Sequence, residues 1–188
     1  AAWYNVYCKA ADGDYVKIDA PLVRQYKDYF RADAVGLKAG TYSMKVVPVD
    51  AKGEESEQFS SEAKGITVIP HTREGFAFTG GNVPGAYNLD GTLKSGAQVV
   101  YVTAATAKTV KATVNGVELT GFQTILDARK QSAEPISFRI VGTVSLSDLN
   151  HISSSAEGLQ IKGSGAAAYN KATSNITIEG IGSDGTVN

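Results

Sequence analysis

Apolar and polar residues alternate along many short stretches of this chain, the period of a strand with one buried and one wet face. Near the end, Ile136 to Gly142, Leu159 to Gly163 and Ile176 to Gly180 each alternate and each stop at glycine. The spacing of Gly142, Gly163 and Gly180 is roughly 20 residues, within the range of stacked coils, and it predicts three successive rungs of a parallel β-solenoid. At the other end, Trp3 to Lys9 alternates, with Tyr4, Val6 and Cys8 on one face. A turn at Ala11-Asp12-Gly13-Asp14 leads to a partner strand, Tyr15 to Ile18. Leu22, Val23, Tyr26, Tyr29 and Phe30 fall at helix-like spacing, which predicts a short helix or irregular crossover over Pro21 to Phe30.

Strands follow at Ser43 to Val49 and Lys64 to Ile69, separated by a turn that starts at Asp50. Pro70 to Glu74 interrupts the pattern and marks a boundary, so the chain reads as two parts, 1–70 and 71–188. Gly75 to Gly96 reads as an extended glycine-rich segment laid over a core. Gln98 to Thr103 is a strand, and Asn115-Gly116 between Val110–Val114 and Val117–Leu119 is a type I′ hairpin turn. Thr120-Gly121-Phe122-Gln123 fits a capping box ahead of Phe122, Ile125, Leu126 and Arg129, which predicts an amphipathic helix over Gly121 to Lys130. A helix there would cover the open end of the first coil. A polar loop, Ser147 to Glu157, then reaches out between rungs.

Composition narrows the function more than it names one. The 188 residues hold 43% hydrophobic and 20% charged side chains, with 20 Gly and 9 Tyr, as in a mostly β protein. A net charge of -1 supplies no field for nucleic acid. The lone Cys8 excludes an internal disulfide and a multi-cysteine metal site, and with nothing basic and fixed beside it in sequence it reads as a buried apolar cysteine rather than a reactive thiol. No apolar run reaches the length of a membrane span, and Ala1-Ala2-Trp3 is not a signal peptide; a secreted product would have lost its signal already, and the chain reads as a segment of a longer one.

Candidate chemistry is sparse. Trp3, Tyr7, Tyr15, Tyr26 and Tyr29 could form a sugar-stacking platform or simply fill a small sandwich. Asp12, Asp14 and Asp184 could suggest calcium ligands, but they sit in turns, where turn chemistry is sufficient reason for an aspartate. Arg139 and Lys162 alternate out of apolar faces, which predicts a solvated outer surface. His71 and His151 have no carboxylate or nucleophile at motif spacing. Gly163 to Ala168 superficially fits a dinucleotide fingerprint, but the stretch after it is too short for a crossover helix. Asn175-Ile176-Thr177 matches a glycosylation sequon by chance placement at a strand start.

Two resemblances rest on these residues. Tyr42, Met44-Lys45-Val46-Val47 and the turn Asp50 to Ser56 resemble the corner tyrosine, long strand and closing turn of a fibronectin type III module, one that lacks its first strands and their tryptophan here. Tyr101-Val102-Thr103, Ile125-Leu126-Asp127-Ala128, Phe138 to Val144 and Ser174 to Gly182, in that order, resemble the amino-terminal cap and first coils of pectate lyases of the right-handed parallel β-helix type. The implied fold is a partial fibronectin-like sandwich followed by helix-capped coils. The implied activity is cleavage of acidic pectic polysaccharide by β-elimination, with calcium on the uronate carboxylate and an arginine of lowered pKa as base. The resemblance implies a secreted or cell-surface protein, and it puts the calcium ligands and the catalytic residues on later coils, so none is assigned here. A non-catalytic carbohydrate-binding or adhesive β-helix, a pectin-acting hydrolase and a structural spacer share the same pattern.

Overall fold

The computed structural model describes residues 1–152, 159, 161 and 174–188. The structure is mostly β, and the chain divides into two compact units: Ala1–Arg73 with Leu89–Thr92, and Glu74–Asn88 with Leu93–Asn188. Among the described residues no helix is long and apolar enough to cross a membrane.

The first unit holds β1 (Trp3–Ala10), β2 (Val16–Lys17), β3 (Val23–Gln25), β4 (Phe30–Ala32), β5 (Gly40–Val49) and β6 (Ser61–Val68). Four of them form an antiparallel sheet in the order β2-β1-β5-β6, while β3 and β4 pair as a separate hairpin. The alternation read from Trp3 to Lys9 is realised, with Val6 and Cys8 buried. No α-helix forms over 21–30. Pro21 instead sits in a 3-10 turn, Ala20–Leu22, and the chain reverses over Lys27 and Asp28, with the Tyr26 N–H donating to the Tyr29 carbonyl at 2.8 Å. The apolar spacing that suggested a helix also satisfies a hairpin whose β-branched and aromatic residues favour extended backbone. Tyr42 is buried and its hydroxyl donates to the Lys38 carbonyl at 3.0 Å, tying the start of β5 to the loop before it. Asp50 organises the turn after β5, its Oδ1 accepting from the N–H groups of Lys52 and Glu54 at 2.8 and 2.9 Å.

The second unit holds β7 (Gln98–Val102), β8 (Lys111–Val114), β9 (Val117–Thr120), the helix α1 (Phe122–Ala128), β10 (Ile136–Val144) and β11 (Ile176–Val187). The β8–β9 hairpin turns on Asn115 and Gly116, at φ of 50° and 80°, as a type I′ turn requires. β7, β10 and β11 form a parallel sheet in the order β11-β10-β7. Ile136 lies opposite both Gln98 and Ile176, and Phe138 opposite both Val100 and Ile178. The rungs therefore start at 98, 136 and 176, a repeat of roughly 40 residues rather than 20. Leu159 to Gly163 was expected as the middle rung, but β10 pairs with β11 directly; of that stretch only Leu159 and Ile161 are described, and neither is in a strand. Lys162 and the run from Gly163 to Ala168 lie outside the described residues.

Val100, Val102, Phe122, Ile125, Leu126, Ile136, Phe138 and Ile140 form the core of this unit. α1 lies on the apolar row of the sheet, with the rings of Phe122 and Phe138 4.9 Å apart. A 3-10 turn, Arg129–Gln131, extends it close to the expected length. Its cap differs from expectation. Thr120 is spoken for as the last residue of β9, paired with Lys111, so Gly121 becomes the N-cap at φ +97° without a side-chain bond of its own. Asn150 supplies the missing acceptor from a distant loop, its Oδ1 taking the Gln123 N–H at 3.3 Å. A Cβ on Gly121 would lie 2.5 Å from the Asn150 Cγ, so glycine is needed both for the φ and for the space.

Candidate functional site

β10 is buried on both faces. Ile136, Phe138 and Ile140 point into the core, and Ser137 and Arg139 point to the other side, beneath the segment that carries Ala86 and Tyr87. Register brings Tyr101 of β7 and Glu179 of β11 beside Arg139, each the fourth residue of its strand. Arg139 is 3% exposed; its Nε donates to Glu179 Oε1 at 3.1 Å, Nη1 to the Tyr101 hydroxyl at 2.7 Å and Nη2 to the Tyr87 hydroxyl at 3.1 Å. Ser137 Oγ donates to the same Glu179 oxygen at 2.8 Å, as does the Tyr87 hydroxyl. Arg139 is thus not on a solvated outer face: a second layer of chain covers what alternation alone reads as the wet side. Sequence reasoning missed Tyr87, Tyr101 and Glu179 as its partners, although a polar residue at the fourth place of three strands was a readable sign.

Electrostatics says what this cluster does. Burial works to lower the Arg139 pKa, but the bonds to Tyr87 and Tyr101 outweigh it and hold the guanidinium above its ordinary value. Burial, then the bond to Glu179, raises the Tyr87 hydroxyl as well. An arginine held charged is a positioning and locking group, the opposite of a base. Arg129 shows the other direction, lowered by burial, yet it is fully enclosed. Its Nη1 donates to Ser132 Oγ and its Nη2 to the Ser174 carbonyl, both at 2.8 Å, and Nη2 also reaches the Glu134 carbonyl. It fastens the end of α1 to the chain entering β11 and offers no face to a substrate.

His151, which sequence spacing left without a carboxylate, lies with Nε2 3.0 Å from Asp127 Oδ2. Its other nitrogen, Nδ1, is 2.7 Å from the amide nitrogen of Asn150, which also donates to Thr124 Oγ1 at 2.6 Å. With Nδ1 accepting from Asn150 and Nε2–H donating to Asp127, both ring nitrogens are engaged in holding the loop to α1. His71 contacts the Leu37 carbonyl at 3.1 Å. The Asn175 side chain of the sequon donates to the Ala133 carbonyl at 2.7 Å and accepts from Lys94 Nζ at 2.9 Å. Asp184 falls within β11, where Gly142 and residues 182–185 break the register between β10 and β11.

The five aromatic residues do not form one platform. Tyr7 and Tyr15 flank Lys45, whose Nζ is 5.1 Å from each ring centroid, and their hydroxyls donate to Glu55 and Glu62. Trp3 packs edge-on against Phe30, and Tyr26 stacks on Tyr29 with centroids 5.0 Å apart. Tyr26 and Tyr29 border a cavity of about 650 Å³ with Tyr4, Val6, Phe30 and Val46. Cys8 is buried, and burial raises its thiol pKa, which keeps it protonated and unreactive. Among the described residues no three His, Cys, Asp or Glu side chains converge to hold a metal ion. The chain shows no significant match to a protein family, to a curated protein or to a solved structure.

Proposed function

We propose that this chain is the amino-terminal part of a secreted polysaccharide lyase resembling pectate lyases. In this reading a fibronectin type III-like module over 1–70 precedes the helix-capped first coils of a right-handed parallel β-helix over 71–188. The substrate is an acidic pectic polysaccharide, opened by calcium-assisted β-elimination. The observation that carries the reading is the in-register parallel ladder, since three strands that recur every 40 residues or so and pair in chain order fit coils wound one on the next. The Tyr42 to Lys38 bond supports the module assignment, being the contact that a corner tyrosine makes.

The side chains of these coils do not fit the calcium: no acidic cluster forms among the described residues, Arg139 is held charged, and Arg129 is enclosed. Their work in this reading is to start and seal the coil, while binding and elimination belong to other coils. The test is ultraviolet absorbance of unsaturated products from polygalacturonate, with the whole protein that carries this chain. Product that needs calcium and stops on chelation supports the lyase. Saccharide release without unsaturation makes the protein a hydrolase, and no product makes it a binder. The 188 residues alone should give no turnover.

A further inference from the structure

One cation of the first unit is held as a bound ligand would be. Lys45, near the middle of β5, places its Nζ 5.1 Å from the ring centroids of both Tyr7, on β1, and Tyr15, just before β2, and 2.7 Å from Glu57 Oε1 in the turn between β5 and β6. Two π-faces and a carboxylate around one ammonium are the elements of an aromatic cage. The walls of this cage are fixed by bonds that do not involve the lysine. Tyr7 donates its hydroxyl to Glu55 at 2.6 Å, and Tyr15 donates its own to Glu62. The bond to Glu55 pushes the Tyr7 hydroxyl up to about 12, and burial with the bond to Glu62 does the same for Tyr15, so both rings stay neutral. The cage also opens to solvent, the Lys45 side chain being 22% exposed and that of Glu57 57%.

We propose that Tyr7, Tyr15 and Glu57 form a binding site for a primary alkylammonium group, the chemistry of a lysine side chain, and that Lys45 is its resident, exchangeable ligand. The rings attract any small cation over their faces, while Glu57 selects one that can donate a hydrogen bond, so a primary ammonium is preferred to a quaternary one. Lys9 also stands over Tyr15, its Nζ 4.8 Å from the centroid, so Tyr7 and Glu57 are the walls that Lys45 serves without it. An outside ammonium competes with a tethered one, whose effective concentration is of the order of mM or more. The site therefore answers to amines presented in many copies, and to single amines once the Lys45 charge is removed. This inference goes beyond the proposed function and does not rest on it.

The test titrates n-butylammonium into the whole chain and into its Lys45→Ala variant, reading the ring signals of Tyr7 and Tyr15 by nuclear magnetic resonance. Butan-1-ol, of the same size without the charge, and tetramethylammonium, a cation without a donor, are the comparison probes. The expected result is saturable movement of both rings in the variant, with a midpoint at least about tenfold below that of the parent chain, where the resident lysine competes. Butan-1-ol should move neither ring, and tetramethylammonium should bind more weakly than n-butylammonium. Adding Glu57→Gln to the variant should erase that last difference. No saturable movement in the variant, equal midpoints with and without Lys45, or an equal response to the alcohol overturns the proposal. Should Lys45→Ala lose its fold, the same titration reads recovery of the folded ring signals as the cage refills, and failure to recover them overturns it as well.

Discussion

Arg139 and Glu179 stand at the same level of neighbouring parallel strands, Nε to Oε1 3.1 Å, with the arginine closed over by Tyr87. The pair shows why the polar face of β10 is a second interior. Removing the anion strands a buried cation, so Glu179→Ala should destabilise the second unit by about 2–3 kcal/mol. The double variant Arg139→Met/Glu179→Ala should cost clearly less than the two single changes added together. Urea unfolding of the four proteins gives the comparison, and strict additivity would mean the two residues are not coupled.

The cap borrowed from Asn150 gives a second expectation. Asn150→Ala should cost about 1 kcal/mol, as loss of a cap does, while Thr120→Ala changes stability by less than about 0.5 kcal/mol. Gly121→Ala strains a residue at φ +97° and drives a methyl into Asn150, for a loss of about 1–3 kcal/mol. In an Asn150→Ala background part of that loss should vanish, since one of its two causes is gone. Thermal unfolding of the three single variants and the double separates steric from backbone strain.

In the first unit, Tyr42→Phe removes one hydroxyl and leaves the ring in place. The Lys38 carbonyl loses its donor, and the expected cost is about 1 kcal/mol. Faster exchange of amides at the start of β5 should accompany it. A neutral result would mean that the corner contact does not hold the strand.

The Tyr7 and Glu55 pair titrates in two directions. Donation from Tyr7, then from Asn5, lowers the Glu55 pKa, so its contribution is present above the ordinary carboxylate range and is lost as pH falls through the lowered value. The same bond, aided by burial, pushes Tyr7 up to about 12; its contribution is whole below the free tyrosine value of about 10 and is lost as pH climbs from there to about 12. Tyr15, raised to about 12 by burial and Glu62, shares that alkaline step. Glu55→Gln should flatten the acid slope and lower the Tyr7 midpoint, and Tyr7→Phe should shrink the alkaline step. Spectrophotometric titration of the tyrosines with stability curves across pH measures both.

Local chemistry was the legible part of this chain. The alternation of β1, the Asn115-Gly116 turn and the amphipathic face of α1 are set by residues close in sequence, and each formed as read. What failed depended on pairings that local pattern does not carry. Glycine recurrence suggested a 20-residue repeat, because glycine ends strands wherever the chain turns, whereas register is set by which apolar rows meet in space. Arg139 read as surface because alternation reports one buried face and is silent about a second layer. Thr120 had the right residue type for a cap, but the β8–β9 hairpin claimed its backbone first. The His151 and Asp127 pair joins α1 to a loop 24 residues on, beyond the reach of motif spacing.

Backbone and side-chain nuclear Overhauser effects around Phe138 test the stacked coil most directly. Parallel rungs in register require contacts from Phe138 to both Val100 and Ile178, with Ile136 flanked at the next level by Gln98 and Ile176. Cross-peaks that run in the antiparallel sense, or Phe138 facing a segment other than β7 and β11, would contradict the ladder and remove the support for the lyase reading.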